Sequence, residues 1–175
     1  MQTERLRLRP VASVDAQSLI AMHTSARVLR YWDSPPWPAE EPHRAAAFVE
    51  KSARMAAEGD GVRVAIERCE DRWFLGWCSV SQWNPTYRSA LLGFCLDEPA
   101  WGHGYATEAA GALLDWAFEA LDLIRVQAEA DTRNAASTRV LEKLGFSREG
   151  TLRCNCIVAG EVSDSHVYGL LRGER

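Results

Sequence analysis

The 175-residue sequence has no apolar run near the roughly 18 residues that a membrane-spanning helix needs. No apolar signal segment follows Met1, because the first residues pass directly into alternating charged and apolar positions. An excess of positive charge is also missing: the formal net charge is −4, whereas nucleic-acid-binding domains are usually strongly basic. These absences predict a cytoplasmic protein with neither a membrane nor a nucleic acid as partner.

The cysteines lack the arrangement that a zinc site requires. The sequence has five of them, Cys69, Cys78, Cys95, Cys154 and Cys156. Cys154 and Cys156 stand two apart in a predicted strand, so their side chains should point the same way, but a second such pair is absent. We therefore predict no metal site and five reduced thiols, as is usual in the cytoplasm.

The composition and the hydrophobic patterning indicate one mixed α/β domain over residues 1–175. Apolar residues make up 47% of the chain and charged residues 25%, as in ordinary globular proteins. The first helix should bury Val14, Leu19 and Met22, and segment 31–42 should be a loop because it holds four prolines. The predicted strands are 4–9, 62–68, 73–83, 90–96, 124–130, 146–154 and 161–171, and the predicted helices are 13–22, 43–58, 104–121 and 134–144.

The order of these elements predicts a mixed sheet of about seven strands. Most strands follow one another through tight turns and should pair antiparallel. Strands 90–96 and 124–130 instead flank the long helix 104–121, which makes a β-α-β crossover. Those two strands should therefore be parallel.

The segment D-E-P-A-W-G-H-G-Y-A-T-E at 97–108 joins a strand to a helix. Gly102 and Gly104 would let the backbone turn tightly and approach a ligand without a Cβ in the way. The first amides of a helix have no intrahelical partner and bind anions, and the absence of Lys and Arg from the loop leaves phosphates to these amides. Alternatively, the glycines only permit a tight turn. The dinucleotide and Walker fingerprints are incomplete, which favours a pyrophosphate other than that of NAD or ATP.

These residues resemble the GNAT superfamily, which carries Q/R-x-x-G-x-G/A at this junction, with Gly104 and Ala106 at its two small positions and Trp101 in place of the usual Gln or Arg. The run W-G-x-G-Y-A-T-E-A is similar to the RimJ/RimL-type branch. That branch also carries N-x-x-S-x-x-V-L-x-K-L-G-F, found here at 134–146, T-E-R-L-x-L-R, found at 3–9, and D-x-x-x-Y-G-L-L, found at 164–171. The resemblance thus spans nearly the whole chain.

The resemblance implies a GNAT-like domain whose parallel strands splay apart at the coenzyme site. It implies acetyl-CoA as cosubstrate and direct transfer of the acetyl group to a primary amine of a protein N-terminus, an amino acid or a small amine. The pantetheine arm would lie along 94–96, where a backbone amide would stabilise the oxyanion. Asn134 would contact pantetheine, although it also suits a plain N-cap. The residues implied for acetyl-CoA are Phe94, Cys95, Leu96, Trp101, Gly102, His103, Gly104, Tyr105, Ala106, Thr107, Asn134 and Ser137.

The proton-transfer groups depart from the family pattern. Many members use a tyrosine seven residues after the asparagine, where this chain has Leu141. Ser137 occupies the position of a serine that the RimJ/RimL-type branch implies as the general acid, although it could merely bond to the helix end. The frequent glutamate of the preceding strand is replaced by Leu91, so no base is obvious. The remaining candidates are Asp33, Asp164, His166 and Tyr168.

The acceptor cleft implied by the resemblance involves Tyr31, Trp32, Asp33 and Trp83. Asp33 could pair with a cationic amine, while Trp32 could equally serve to pack the proline-rich loop. Two other functions stay open: a non-catalytic acyl-CoA-binding sensor or interaction module, and a nucleotide-binding domain of another fold. The sequence leaves the acceptor undefined and is compatible with a monomer or a homodimer.

Overall fold

The computed structural model describes residues 1–38 and 40–175, and its elements follow the predicted order. The described part of loop 31–42 has neither helix nor strand, and Ala39 lies outside the described residues. Within the described residues no helix is both long and apolar enough to cross a membrane. The strands are β1 (Leu6–Pro10), β2 (Val62–Arg68), β3 (Phe74–Asn84), β4 (Ser89–Leu96), β5 (Arg125–Asp131), β6 (Ser147–Val158) and β7 (Glu161–Leu171), and the helices are α1 (Ala16–Thr24), α2 (His43–Ala57), α3 (Tyr105–Ala120) and α4 (Ala135–Lys143).

The described strands form one seven-stranded sheet in the order β1-β2-β3-β4-β5-β7-β6. β4 and β5 are parallel and the other neighbouring pairs are antiparallel. Successive residues of β2 enter different cores: Ile66 packs with α3 and α4, while Ala65 packs with α1 and α2. Because successive strand residues point to opposite faces, each face carries one helix pair. The predicted mixed α/β fold with its crossover is confirmed.

The parallel strands splay apart as expected. β4 and β5 pair only at Ser89–Leu91 and Arg125–Gln127, although both strands continue beyond these pairs. The amide of Asp97 donates to the Leu75 carbonyl, 2.9 Å away, on the β3 side. Because hydrogen-bonding groups alternate along an antiparallel strand, the backbone groups of Phe94 face the gap towards β5.

The first helix begins later than its sequence pattern indicates. Ser13–Asp15 form a 3₁₀ turn, and α1 starts at Ala16. The prediction that Val14 is buried is wrong, since its side chain is 79% exposed, whereas Leu19 and Met22 are fully buried. The turn is held by Asp15, whose carboxylate accepts from the Ala12 amide at 2.9 Å, so the helical period starts after it.

All five cysteines are free in the structure. β6 shifts register between Leu152 and Cys156, and Cys154 has a φ of 51°. This bulge interrupts the alternation from which we expected the Cys154 and Cys156 thiols to share a direction. The strand also continues to Val158, beyond its predicted end.

The proline-rich loop packs on the sheet through aromatic rings. The Trp37 ring stacks on His23 with centroids 4.2 Å apart, and the Trp32 ring meets Trp77 edge-on at 5.5 Å. The Trp37 amide also donates to the His23 carbonyl at 2.8 Å. Packing therefore explains both loop tryptophans, and it places the Trp32 ring beside β3.

The buried His23 should make stability depend on pH. Its Nδ1 lies 2.9 Å from the Leu19 carbonyl, yet burial lowers the pKa of His23, and the nearby charge of Arg63 adds to this effect. Below about pH 6.5 the His23 side chain binds a proton in the unfolded chain but stays neutral in the folded chain. The unfolding free energy should therefore fall with decreasing pH, by at most about 1.4 kcal/mol per pH unit for this one group. Urea unfolding between pH 5 and 8 should show a steeper loss in the wild type than in His23→Gln. If the unfolding free energies of the two proteins changed with pH in parallel, His23 would not be the group responsible.

Candidate active site

The G-x-G segment forms the expected helix-terminal cradle. Gly102 and Gly104 have φ values of 79° and 78°, the left-handed region that glycine adopts easily. The Glu108 amide makes the first helical bond of α3, to the Gly104 carbonyl at 3.1 Å. The amides of Tyr105, Ala106 and Thr107 consequently have no intrahelical partner. They and the helix dipole create an anion-binding end.

A cavity of about 470 Å³, here called the loop pocket, adjoins this helix end. It collects eleven of the twelve residues that the sequence assigned to acetyl-CoA: Phe94, Cys95, Leu96, Trp101, Gly102, Gly104, Tyr105, Ala106, Thr107, Asn134 and Ser137. Trp101 is fixed because its Nε1 donates to the Leu96 carbonyl at 2.8 Å. Burial raises the pKa of the Cys95 thiol to about 12, so this side chain is not a nucleophile near neutral pH. His103 does not line the pocket, and its ring lies 5.5 Å from that of Tyr105.

Cationic side chains that the sequence reasoning missed also line the loop pocket: Arg27, Arg30, Arg139 and Lys143. Arg27 pairs with Glu98 at 2.5 Å. Among the residues that the structure describes, no carboxylate lies within ion-pair distance of Arg30, Arg139 or Lys143. Arg139 and Lys143 are four apart on α4, a spacing that puts both on one helix face and could have indicated their role. The pocket can therefore hold a ligand with several negative charges.

A second cavity of about 370 Å³, here called the strand pocket, lies where β4 and β5 part. It shares Tyr31, Trp32, Phe94, Asn134 and Ser137 with the loop pocket. Its remaining walls are Asp33, Leu91, Leu92, Gly93, Ala128, Glu129, Ala130, Asp131, Leu141, Asn155, Cys156, Val158 and Ser165. The two pockets thus meet at Phe94, whose backbone groups face the gap.

Asp131, one of the carboxylates of the strand pocket, is buried and fully engaged. Hydrogen bonding from Arg133 at 2.9 Å lowers its pKa to about 2 in spite of burial, and the Ser163 hydroxyl at 2.6 Å adds to the effect. Such a group is a poor proton acceptor. No group of three His, Cys, Asp or Glu side chains among the described residues is arranged to hold a metal ion.

Glu129, which sequence reasoning missed, also lines the strand pocket and is better placed than Asp131 to accept a proton. It is exposed, and its oxygens accept from the amide nitrogens of Gln127 and Asn155, both at 3.2 Å. Of the basic side chains that the structure describes, none pairs with Glu129 or with Asp33. The strand pocket therefore carries two carboxylates, Glu129 and Asp33, that form no ion pair with a basic side chain of the described residues.

Three earlier base candidates lie outside both pockets. Asp164 accepts from the Cys154 amide at 2.8 Å, and the His166 Nδ1 lies 2.9 Å from the Thr151 hydroxyl. Tyr168 is only 1% exposed. Asp33 is the sole member of that earlier set that lines the strand pocket.

Asn134 and Ser137 lie at the junction of the pockets. The Asn134 side chain accepts from the Ser137 amide at 3.1 Å, so it caps α4 while also lining both cavities. Within the described residues the Ser137 hydroxyl has no hydrogen-bond partner, which leaves it available to a ligand. Leu141, at the position where the family resemblance implied a tyrosine, is a buried apolar wall of the strand pocket.

Trp83 lines neither pocket, so we do not retain it as an acceptor contact. Its amide donates to the Asp60 carbonyl at 2.9 Å, and its ring packs against the core beside Gly59. β3 runs antiparallel to β4, so the C-terminal end of β3, where Trp83 stands, is remote from the pocket end of β4.

Comparison with known proteins gives a consistent result. The sequence profile of the acetyltransferase (GNAT) domain matches residues 5–147. The uncharacterized N-acetyltransferase YoaA of Bacillus subtilis is 30% identical over 172 residues, which cover 98% of this chain and 96% of that protein. The spermidine N(1)-acetyltransferase of Escherichia coli is 27% identical over 89% of this chain and 80% of its own. In fold, RimJ of Mycobacterium smegmatis, solved in complex with CoA-disulfide, superposes with a TM-score of 0.86 at 24% identity, covering 97% of this chain and 87% of that one.

Proposed function

The chain belongs to the GNAT family of acetyltransferases, and on that premise we propose that it transfers an acetyl group directly to the primary amine of a cationic acceptor. As a GNAT member it is an acyltransferase that uses acetyl-CoA. The observation that carries the proposal is the meeting of the loop pocket and the strand pocket at Phe94, Asn134 and Ser137. Unpaired cysteines and the bacterial relatives suit the cytoplasm as its compartment.

The loop pocket suits acetyl-CoA. Its unpartnered α3 amides would hold the pyrophosphate, and Arg139 and Lys143 supply further positive charge for the phosphates. The backbone of Phe94 would pair with the pantetheine arm as an added strand does. This arrangement directs the thioester to the junction with the strand pocket, where the Phe94 amide could stabilise the oxyanion.

The strand pocket suits the acceptor. Asp33 and Glu129 are the carboxylates there without a cationic partner, so an acceptor that carries a second positive charge would neutralise them. The spermidine acetyltransferase relative acts on an acceptor of this class. We assign Glu129 as the base that removes the amine proton, directly or through water, and Ser137 as the acid that protonates the departing thiolate.

Thermal unfolding followed by a turnover assay tests this function. Acetyl-CoA or CoA at a hundred times its dissociation constant adds about 2.7 kcal/mol, which for this size corresponds to a shift of roughly 5–10 °C, whereas ATP and NAD should cause none. Thiol release from acetyl-CoA should then be faster with spermidine than with neutral or anionic primary amines. Binding without turnover would instead support a non-catalytic acyl-CoA-binding module. An equal shift with ATP would contradict the donor assignment.

Ser137→Ala should lower kcat at least about tenfold while leaving the Kd for CoA within twofold. The hydroxyl is free to protonate the thiolate, whereas the cap on α4 involves the Ser137 backbone amide and survives the substitution. Thr138→Ala, on the same helix, is the control because that residue lines neither pocket. Unchanged turnover in Ser137→Ala would remove Ser137 from the mechanism.

A further inference from the structure

Arg5 contacts the G-x-G loop from outside the loop pocket, which it does not line. Its Nη1 donates to the carbonyl of His103, the residue between the two glycines, at 3.1 Å. Its guanidinium carbon lies 4.8 Å from the Tyr105 ring centroid. One side chain from the residue immediately before β1 thus contacts the loop on both sides of Gly104.

The same guanidinium neutralises Glu108 in the first turn of α3. Nε and Nη2 of Arg5 lie 2.7 and 2.6 Å from the same Glu108 oxygen, and the Thr3 hydroxyl lies 2.5 Å from the other. Burial by itself would raise the pKa of Glu108, but the hydrogen bonds from Thr3 and Arg5 outweigh it and leave the pKa below its ordinary value. Glu108 is therefore ionised, and it lies in the same first turn of α3 as the amides that would hold the pyrophosphate.

We infer that Arg5 is a positioning residue for the donor phosphates. It holds the His103–Gly104 backbone so that the α3 amides face the ligand, and it cancels a carboxylate charge that would repel a pyrophosphate at the same helix end. The inference rests on the proposed function, since it supposes that a CoA thioester occupies the loop pocket. It assigns a role in the site to the Thr3–Arg9 segment, which lies about a hundred residues from the loop in sequence.

Isothermal titration with CoA tests the inference. Arg5→Met should weaken the Kd about tenfold, because the loop loses a charge-assisted clamp and Glu108 is left bare. The double variant Arg5→Met, Glu108→Gln should recover part of that loss, since no carboxylate remains to repel phosphate. Arg5→Lys keeps the positive charge but loses the planar, bidentate guanidinium, so its Kd for CoA should lie between those of the wild type and Arg5→Met. This variant also tests the inference if Arg5→Met does not fold.

Arg175→Met is the matched control. Arg175 likewise binds a carboxylate and a carbonyl of α3, at Asp115 and Gly111, but it is remote from the loop, so its loss should leave the Kd for CoA unchanged. With S-acetylpantetheine, which has no phosphate, Arg5→Met and wild type should show equal kcat/KM. Any of three results would overturn the inference alone. These are equal CoA affinity in wild type, Arg5→Met and Arg5→Lys, no recovery of affinity in the double variant, or a defect of Arg5→Met with S-acetylpantetheine equal to its defect with the CoA thioester. A wild type that does not bind CoA would overturn the proposed function with it.

Discussion

Gly104→Val should weaken acetyl-CoA binding about a hundredfold, or about 2.7 kcal/mol. Gly104 has a φ of 78° immediately before α3, a conformation that costs an L residue about 1–2 kcal/mol and a β-branched one more. Relaxing that angle would turn the amides of Tyr105, Ala106 and Thr107 away from the pyrophosphate. An added Cβ would lie 3.6 Å from Arg5, an ordinary contact on the outer side of the loop. The effect therefore arises from the backbone and not from a side chain that fills the cradle.

Gly160→Val separates this effect from general destabilisation. Gly160 has a φ of 83° in the β6–β7 turn, and an added Cβ there meets no atom within 4 Å. The variant should lose about 1–2 kcal/mol of unfolding free energy yet keep the Kd for acetyl-CoA within twofold by titration. If the two variants lost affinity alike, the cradle would not be the cause; if Gly104→Val bound normally, the pyrophosphate would lie elsewhere.

The donor side of the site could be predicted because its chemistry is local. A strand end, two glycines and a helix start within twelve residues, 97–108, already define a helix-terminal anion site. The cations of the loop pocket escaped prediction because they come from two other segments, at 27–30 and on α4. The pairing of Arg5 with Glu108 escaped for the same reason, since each belongs to a recognisable motif but nothing local joins the two.

The acceptor side depends on geometry that residue patterns do not specify. Glu129 is open to the strand pocket because the pairing of β5 with β4 ends at Gln127, two residues before it, so only β7 lies beside Glu129. The proposed role of Glu129 depends on that end point, which residue patterns do not specify. Asn155, which holds Glu129, stands in the bulged part of β6, where alternation does not say which way a side chain points. Trp83 was expected in the acceptor cleft but lines neither pocket. A strand pattern does not tell which end of the sheet carries the acceptor cleft.

Glu129→Gln should lower kcat about a hundredfold near neutral pH, the lower end of what a general base contributes. The amide keeps the size of the side chain but cannot accept the amine proton, and it lies outside the donor contacts, so the Kd for CoA should not change. The defect should shrink as the pH rises through the pKa of the acceptor amine, because an amine that is already neutral needs no base. A kcat profile from pH 6 to 10, recorded with saturating acetyl-CoA, measures this.

Asp33→Asn is the matched control, because it removes the other unpaired carboxylate of the strand pocket. Asp33 attracts the cationic acceptor in our assignment, so its loss should raise the acceptor KM about tenfold, a cost expected for one charge pair, and leave kcat within threefold. The roles of the two carboxylates are thereby separable in one acceptor titration. If Asp33→Asn instead carried the kcat loss and its pH dependence while Glu129→Gln did not, the base would be Asp33, and Glu129 would serve only to attract the acceptor.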